Sequence, residues 1–208
     1  MLELLFPTRC VLCGSPRQGL CSCCVQQLRP PGAHEVPDGL DALAALCSYE
    51  STGKDLVLAL KRGNRRAAVP LLGCALAESL RALHDDHGAP GGVPPLVTWA
   101  PTTPPRRRRR GFDQAELLAH GVAGALGTRA FRTLRRLGPA QSGLAAPQRL
   151  AGVDFAPLAP AVQRSDTWLV VDDVVTSGAT MSCAARALRR AGADWVLGAA
   201  VAVTRRRR

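Results

Sequence analysis

Aromatic residues make up only 4% of the 208-residue chain, and lysine occurs just at positions 54 and 61. With so few rings the sequence offers no array on which single-stranded bases could stack. No run approaches the roughly 18 consecutive apolar residues of a membrane span. The start, MLELLFPTRC, carries neither a basic leader nor a small-residue cleavage site, so no secretory signal is expected. A cytoplasmic protein is the resulting expectation. There is no Walker loop and no nucleophile elbow. The four histidines, at 34, 84, 87 and 120, have neither ligand nor triad spacing and read as surface or capping residues.

Arginine, by contrast, is abundant. It dominates a formal net charge of +11, with runs at Arg106 to Arg110 and Arg205 to Arg208. One reading is a bias in a chain already rich in Ala, Gly, Pro and Arg. The other is an anionic partner: a phosphorylated metabolite or a nucleic-acid backbone. At 47% hydrophobic and 21% charged the composition is globular, and the length suits one α/β domain with a small appendage.

Residues 1–31 are cysteine-dense and read as a separate knob, closed by Pro30-Pro31-Gly32. LAALCSY, 43–49, suits a strand. Lys54 to Arg62 and Ala67 to His84 suit helices, the second with apolar residues at helical spacing and Pro70 in its first turn. GAPGGVPP, 88–95, reads as a loop and LVTWAP, 96–101, as a short buried strand. A helix is expected over 112–127, and a mobile surface segment over 133–165, rich in Gly, Pro, Arg and Gln. Strand, turn, helix and strand follow at 167–173, 174–178, 179–190 and 195–203. Such alternation implies a largely parallel sheet flanked by helices.

The last of these units carries the strongest signal. TWLVV is β-branched and apolar, as befits a strand buried on both faces. Asp172 and Asp173 are expected at its carboxyl end, the edge where open parallel sheets bind ligands. Small hydroxylated residues then lead into a helix, an arrangement that cradles anions with backbone N–H groups and hydroxyls. Gly178 lets the chain approach a phosphate without a Cβ in the way, and Thr176, Ser177 and Thr180 add hydroxyl donors. The two carboxylates suit neutral hydroxyls or a hydrated Mg²⁺ further off. A sugar phosphate such as ribose 5-phosphate has that layout.

Residues 168–180, WLVVDDVVTSGAT, resemble position for position the motif with which type I phosphoribosyltransferases bind 5-phosphoribosyl 1-pyrophosphate (PRPP). That resemblance implies that Asp172 and Asp173 hold the ribose hydroxyls and that Thr176, Ser177, Gly178, Ala179 and Thr180 wrap the 5-phosphate. Family members commonly have Thr where this chain has Ser177. The chain further resembles the ComF, competence-type, members of that superfamily through CVLC, CSCC, LALKRG at 58–63, RRGFDQAELLA at 109–119, and Gln141, Arg149 and Phe155. It departs from them at Asp113, where Asn is usual. An acid there either weakens pyrophosphate binding or caps the following helix.

The resemblance implies a type I phosphoribosyltransferase-like α/β domain over 41–208, with a flexible hood over 133–165 containing Gln141 and Arg149, behind the knob of 1–31. It implies Mg²⁺–PRPP as substrate, an unidentified nitrogenous acceptor and release of pyrophosphate. The candidate pyrophosphate residues are Pro101, Thr102 and Thr103, which follow a strand, with Arg109, Arg110 and Lys61. The sequence leaves open which arginines of 106–110 touch ligand. The family's link to natural competence adds a rival: an accessory protein of DNA uptake, binding DNA or a machinery protein through its arginines. Homo-oligomerisation is open as well.

Cys10-x2-Cys13 and Cys21-x2-Cys24 offer four thiolates suited to tetrahedral Zn²⁺. Cys23 competes with Cys21 and Cys24 for a place in that set. Disulfides are the rival, disfavoured in a cytoplasmic chain. Cys47, Cys74 and Cys183 lie in apolar elements and are expected to be buried.

Overall fold

Parallel strands dominate the computed structural model of the chain, which describes residues 9–16, 19–61, 66–87, 95–137, 153–158 and 167–205. Gln141, Arg149, Arg62 and the last three arginines lie outside the described residues, as do residues 88–94 of the loop expected at 88–95.

A short helix α1 (Ser22–Gln26) precedes β1 (Ala42–Ser48), α2 (Ser51–Lys61), a 3₁₀ turn at Arg66–Ala68 and α3 (Val69–His87). Next come β2 (Leu96–Trp99), α4 (Pro104–Arg110) and α5 (Gln114–Ala125), then β3 (Leu134–Arg136) and β4 (Phe155–Pro157). The chain closes with β5 (Thr167–Val175), α6 (Ala179–Arg190) and β6 (Trp195–Val203). Four strands form one sheet in the order β1-β6-β5-β2, all parallel. An isolated parallel bridge from Ala130 to Val97 widens the β2 edge. β3 and β4 pair separately as an antiparallel ribbon.

The strand period of two decides which side chains go where. Leu169 and Val171 of β5 join one core with residues of α2, α3 and α5, while Trp168 and Val170 join another with α6, β3 and β4. All four are 0–1% exposed, as expected of a strand covered on both sides. On α6, Met181, Ala184, Ala185 and Leu188 recur at helical spacing and are buried beneath the second core. Helices α3 and α5 cross so closely that a Cβ on Gly73 would lie 2.5 Å from the backbone of Gly121. Two glycines at that crossing let the backbones meet.

The cysteine-dense knob packs against the rest of the chain: Cys10, Val11, Leu20, Cys21 and Cys24 share a core with Leu56, Val57 and Leu72. Two expectations are revised. The ends of the 133–165 segment are ordered as the β3–β4 ribbon, with Phe155 fully buried. Cys74 is exposed and Cys183 only half-buried, whereas Cys47 is buried as expected.

Candidate functional site

Strand β5 outruns its neighbour. Its pairing with β2 ends at Trp99 opposite Val171, and the last bond on that side runs from the Ala100 N–H to the Val171 carbonyl at 3.1 Å. On the other side β5 stays paired with β6 to Val175 opposite Val203. The strand runs two residues beyond the aspartate pair, which lies near its carboxyl end beside a notch where β2 turns away.

Because adjacent strand residues face opposite ways, the two acids serve different sides. Asp173 points with Leu169 and Val171 toward α2, where Lys61 Nζ lies 3.1 Å from its Oδ2. Asp172 points with Trp168 and Val170 toward the ribbon and α6. Its Oδ1 accepts the Asp173 N–H at 2.8 Å. Burial, reinforced by the Asp173 charge, pushes the Asp172 carboxyl well above the usual carboxylate range; that hydrogen bond and Lys61 oppose the shift.

The β2 exit loop forms the notch's other wall. Thr102 donates its N–H to Asp113 Oδ2 at 2.8 Å, and Asp113 Oδ1 accepts from the Ala115 N–H at 3.2 Å. Asp113 thus caps α5 and buckles the loop to it. Burial raises its pKa against those two hydrogen bonds. Beyond Thr103 the arginine run is not a loop but the helix α4, opened by Pro104 and Pro105 and closed by Gly111 at φ 78°. Arg107 pairs with Glu116 at 3.1 Å, and Arg110 donates to Gln114 at 3.1 Å. Gln114 in turn donates to the Leu60 carbonyl at 3.3 Å, tying α5 to the end of α2. Arg109 is solvent-exposed on α4.

The Thr176–Gly178 turn joins β5 to α6 through Gly178 in the left-handed region at φ 75°. Thr176, Ser177, Gly178 and Ser182 border a cavity of about 240 Å³. Thr204 Oγ1 donates to the Thr176 carbonyl at 2.7 Å and anchors the turn to β6's exit. The roof comes from the segment before β1: Glu35, Pro37 and Asp38 line the same cavity, and a Cβ on Gly178 would lie 3.1 Å from Pro37 Cγ. Ala179 and Thr180 form the first turn of α6. Neither this roof nor Ser182 is marked by any motif.

Arg136 on β3 also escaped the sequence reading, being one arginine among many. It is half-buried, 5.6 Å above the Phe155 ring centroid, and donates to the Pro101 carbonyl at 3.4 Å.

Far from this edge in sequence, the sulfurs of Cys10, Cys13, Cys21 and Cys24 all lie within 4.8 Å of one another, with Cys13 and Cys21 3.7 Å apart. A tetrahedral site with metal–sulfur bonds of about 2.3 Å has sulfur–sulfur edges of about 3.8 Å. The cluster is therefore capable of holding a metal ion, and it resolves the choice among Cys21, Cys23 and Cys24: Cys23 is exposed and outside it. Burial resists ionisation of Cys10, but N–H groups of Cys13, Cys21 and Leu12 outweigh it and hold the thiol at about 6. Cys24 is pushed up to about 12 by burial and by the crowd of thiols. No helix among the described residues is long and apolar enough to cross a membrane.

No family model matches the chain, and no curated protein matches it. Among solved structures, the chain is similar to one described as the structure of the allosteric regulatory enzyme of purine biosynthesis. The two are 21% identical, with a TM-score of 0.45 over 66% of this chain and 26% of the other. The chain thus spans about a quarter of that protein's length. A likeness of this size carries no functional weight.

Proposed function

We propose that this chain is a type I phosphoribosyltransferase-like protein of the ComF kind. It binds Mg²⁺–PRPP and transfers the phosphoribosyl group to a nitrogenous acceptor. The reading is carried by the Thr176–Thr180 turn: it has the residues of the PRPP motif, a left-handed glycine, a following helix N-terminus and a cavity beside it. In this reading Thr176, Ser177, Gly178, Ala179 and Thr180 hold the 5-phosphate. Asp172 and Asp173 orient the ribose, and their charge favours the oxocarbenium character that develops at C1. Pro101, Thr102, Thr103, Arg109, Arg110 and Lys61 border the pyrophosphate. The C1–O bond breaks with its electron pair leaving on pyrophosphate, the C1–N bond forms, and the acceptor gives up a proton. Mg²⁺, brought with the substrate, offsets charge on the leaving group. The four cysteines hold Zn²⁺ as a structural ion, for which the sulfur spacing is suited.

Calorimetric titration with Mg²⁺–PRPP tests the site. The wild-type chain is expected to bind it, and Asp172→Ala with Asp173→Ala to lose at least tenfold in affinity, roughly the 1.4 kcal/mol or more expected when hydrogen bonds to charged groups are removed. Equal affinities would refute the assignment.

A second reading rests on α4, none of whose residues is buried. Its exposed arginines suit a polyanion backbone such as DNA. If that is the function, DNA affinity falls steeply with salt and disappears when Arg106 to Arg110 are neutralised, while a screen of bases and amines with PRPP yields no pyrophosphate.

A further inference from the structure

Several groups at the notch that would meet a pyrophosphate already have protein partners. Lys61 is ion-paired with Asp173, the Thr102 N–H is bound to Asp113, Arg107 is paired with Glu116, and Arg110 donates to Gln114. Pro101 has no N–H to give. A diphosphate needs uncommitted donors in a partly dry place, where charge-assisted hydrogen bonds are strongest.

Arg136 meets that need. Its guanidinium carries five N–H donors in a planar fork, and among the described residues it donates to the Pro101 carbonyl at 3.4 Å. The guanidinium lies over the Phe155 ring, 5.6 Å from its centroid. Among the described residues no carboxylate lies in ion-pair contact with it, although Asp172 and Asp113 are near enough to feel its charge. Burial first, and then the charge of Arg106, hold the Arg136 guanidinium below its usual range. Arg106, exposed on α4, is near enough for its charge to be felt at the half-buried Arg136. An anion with several charged oxygens would turn their repulsion into attraction.

We propose that Arg136, with Arg106 beside it, is a binding residue for the diphosphate part of the ligand, reaching it from the β3–β4 side of the notch. The identity of that ligand as PRPP rests on the function proposed above; an Arg136-dependent diphosphate site does not.

The full-length chain is titrated calorimetrically with magnesium pyrophosphate, PRPP and ribose 5-phosphate, using wild type, Arg136→Gln, Arg136→Lys and Arg106→Gln. Arg136→Gln is expected to weaken binding of pyrophosphate and PRPP by roughly ten- to a hundredfold, as for loss of charge-assisted hydrogen bonds, and to leave ribose 5-phosphate unchanged. Arg136→Lys recovers only part of the loss, because an ammonium lacks the fork. Arg106→Gln costs a few-fold. Wild-type affinity of Arg136→Gln for magnesium pyrophosphate overturns the inference. If wild type binds pyrophosphate through Arg136 but takes neither PRPP nor ribose 5-phosphate, the inference stands and the transferase reading falls. If wild type binds PRPP and Arg136→Gln binds it equally, the reverse holds; if wild type binds none of the three, both fall. A measurement on the unaltered chain guards against a misfolded variant. Phenylglyoxal modification at Arg136, mapped by peptide mass spectrometry, should be slowed by magnesium pyrophosphate and not by ribose 5-phosphate. Protection absent with pyrophosphate again overturns it.

Discussion

Asp172→Asn raises the melting temperature of this protein, and Asp173→Asn lowers it, although the two residues are adjacent and chemically identical. Asp172 is a carboxyl whose burial and acidic neighbour disfavour its charge. Its folded-state pKa lies above the unfolded value, so the folded protein holds that proton more tightly. The stability this provides is full below the unfolded value of about 4 and is lost as pH rises through the folded value. At neutral pH wild type therefore carries a penalty that the amide removes, on the order of 1 kcal/mol, or roughly 2–4 °C for a chain of this size. The advantage of the amide should vanish as pH falls toward about 4. Asp173 is the opposite case. Its side chain is 11% exposed and that of its partner Lys61 23%. Asparagine there leaves a largely buried ammonium without its counter-ion, at a cost of about 2–3 kcal/mol once partial solvent access is allowed for, or roughly 5–10 °C. Both variants should bind PRPP less well. A more stable Asp172→Asn with unimpaired PRPP affinity would place the sugar elsewhere.

Metal chelation is expected to have the larger effect. Cys10, Cys21 and Cys24 are 2–6% exposed and lie in the core that also contains Leu56, Leu72 and Leu169. With no cation among them, the four thiols resist ionising together, because burial and the neighbouring thiols push Cys24 up to about 12. A bound divalent ion stabilises the thiolates by direct coordination and offsets half of their charge, and the free energy of that event becomes folding free energy. Removal by a strong chelator, or Cys10→Ser, should lower stability by about 3–5 kcal/mol and reduce bound metal from one ion per chain to none. Cys23→Ser, at an exposed thiol outside the cluster, should keep both. Metal analysis and denaturant titration decide it. A chelated protein with an unchanged unfolding midpoint would make the cluster dispensable.

The elements that proved legible are those whose pattern has one physical cause. TWLVV could be nothing but a covered strand, and α6 announced itself by apolar residues at helical spacing between Gly178 and Gly192; both run as expected at their starts. Asp113 as a helix cap was also readable, since Asp before a helical segment has few other uses. The helix over the arginine run was not, because five like residues carry no periodicity. Its signal was Thr103 followed by two prolines and then, eight residues after that threonine, Gly111. The ribbon β3–β4 was hidden because three-residue strands are too short to alternate visibly. The divergence of Asp172 and Asp173 was implicit in the strand period, since neighbours within a strand face opposite ways. The roof over the Thr176–Gly178 turn and the position of Arg136 depend on contacts between distant parts of the chain, and no local pattern encodes them.

That roof has a consequence for how the molecule responds when its cavity fills. Pro37 rests on Gly178, so any occupant of the space between them touches two stretches that the chain itself joins only by a long detour through most of the sheet. Such an occupant works as a staple: the amides before β1 and those opening α6 would exchange their hydrogens more slowly together, while an equally tight ligand seated only at the notch would quieten neither.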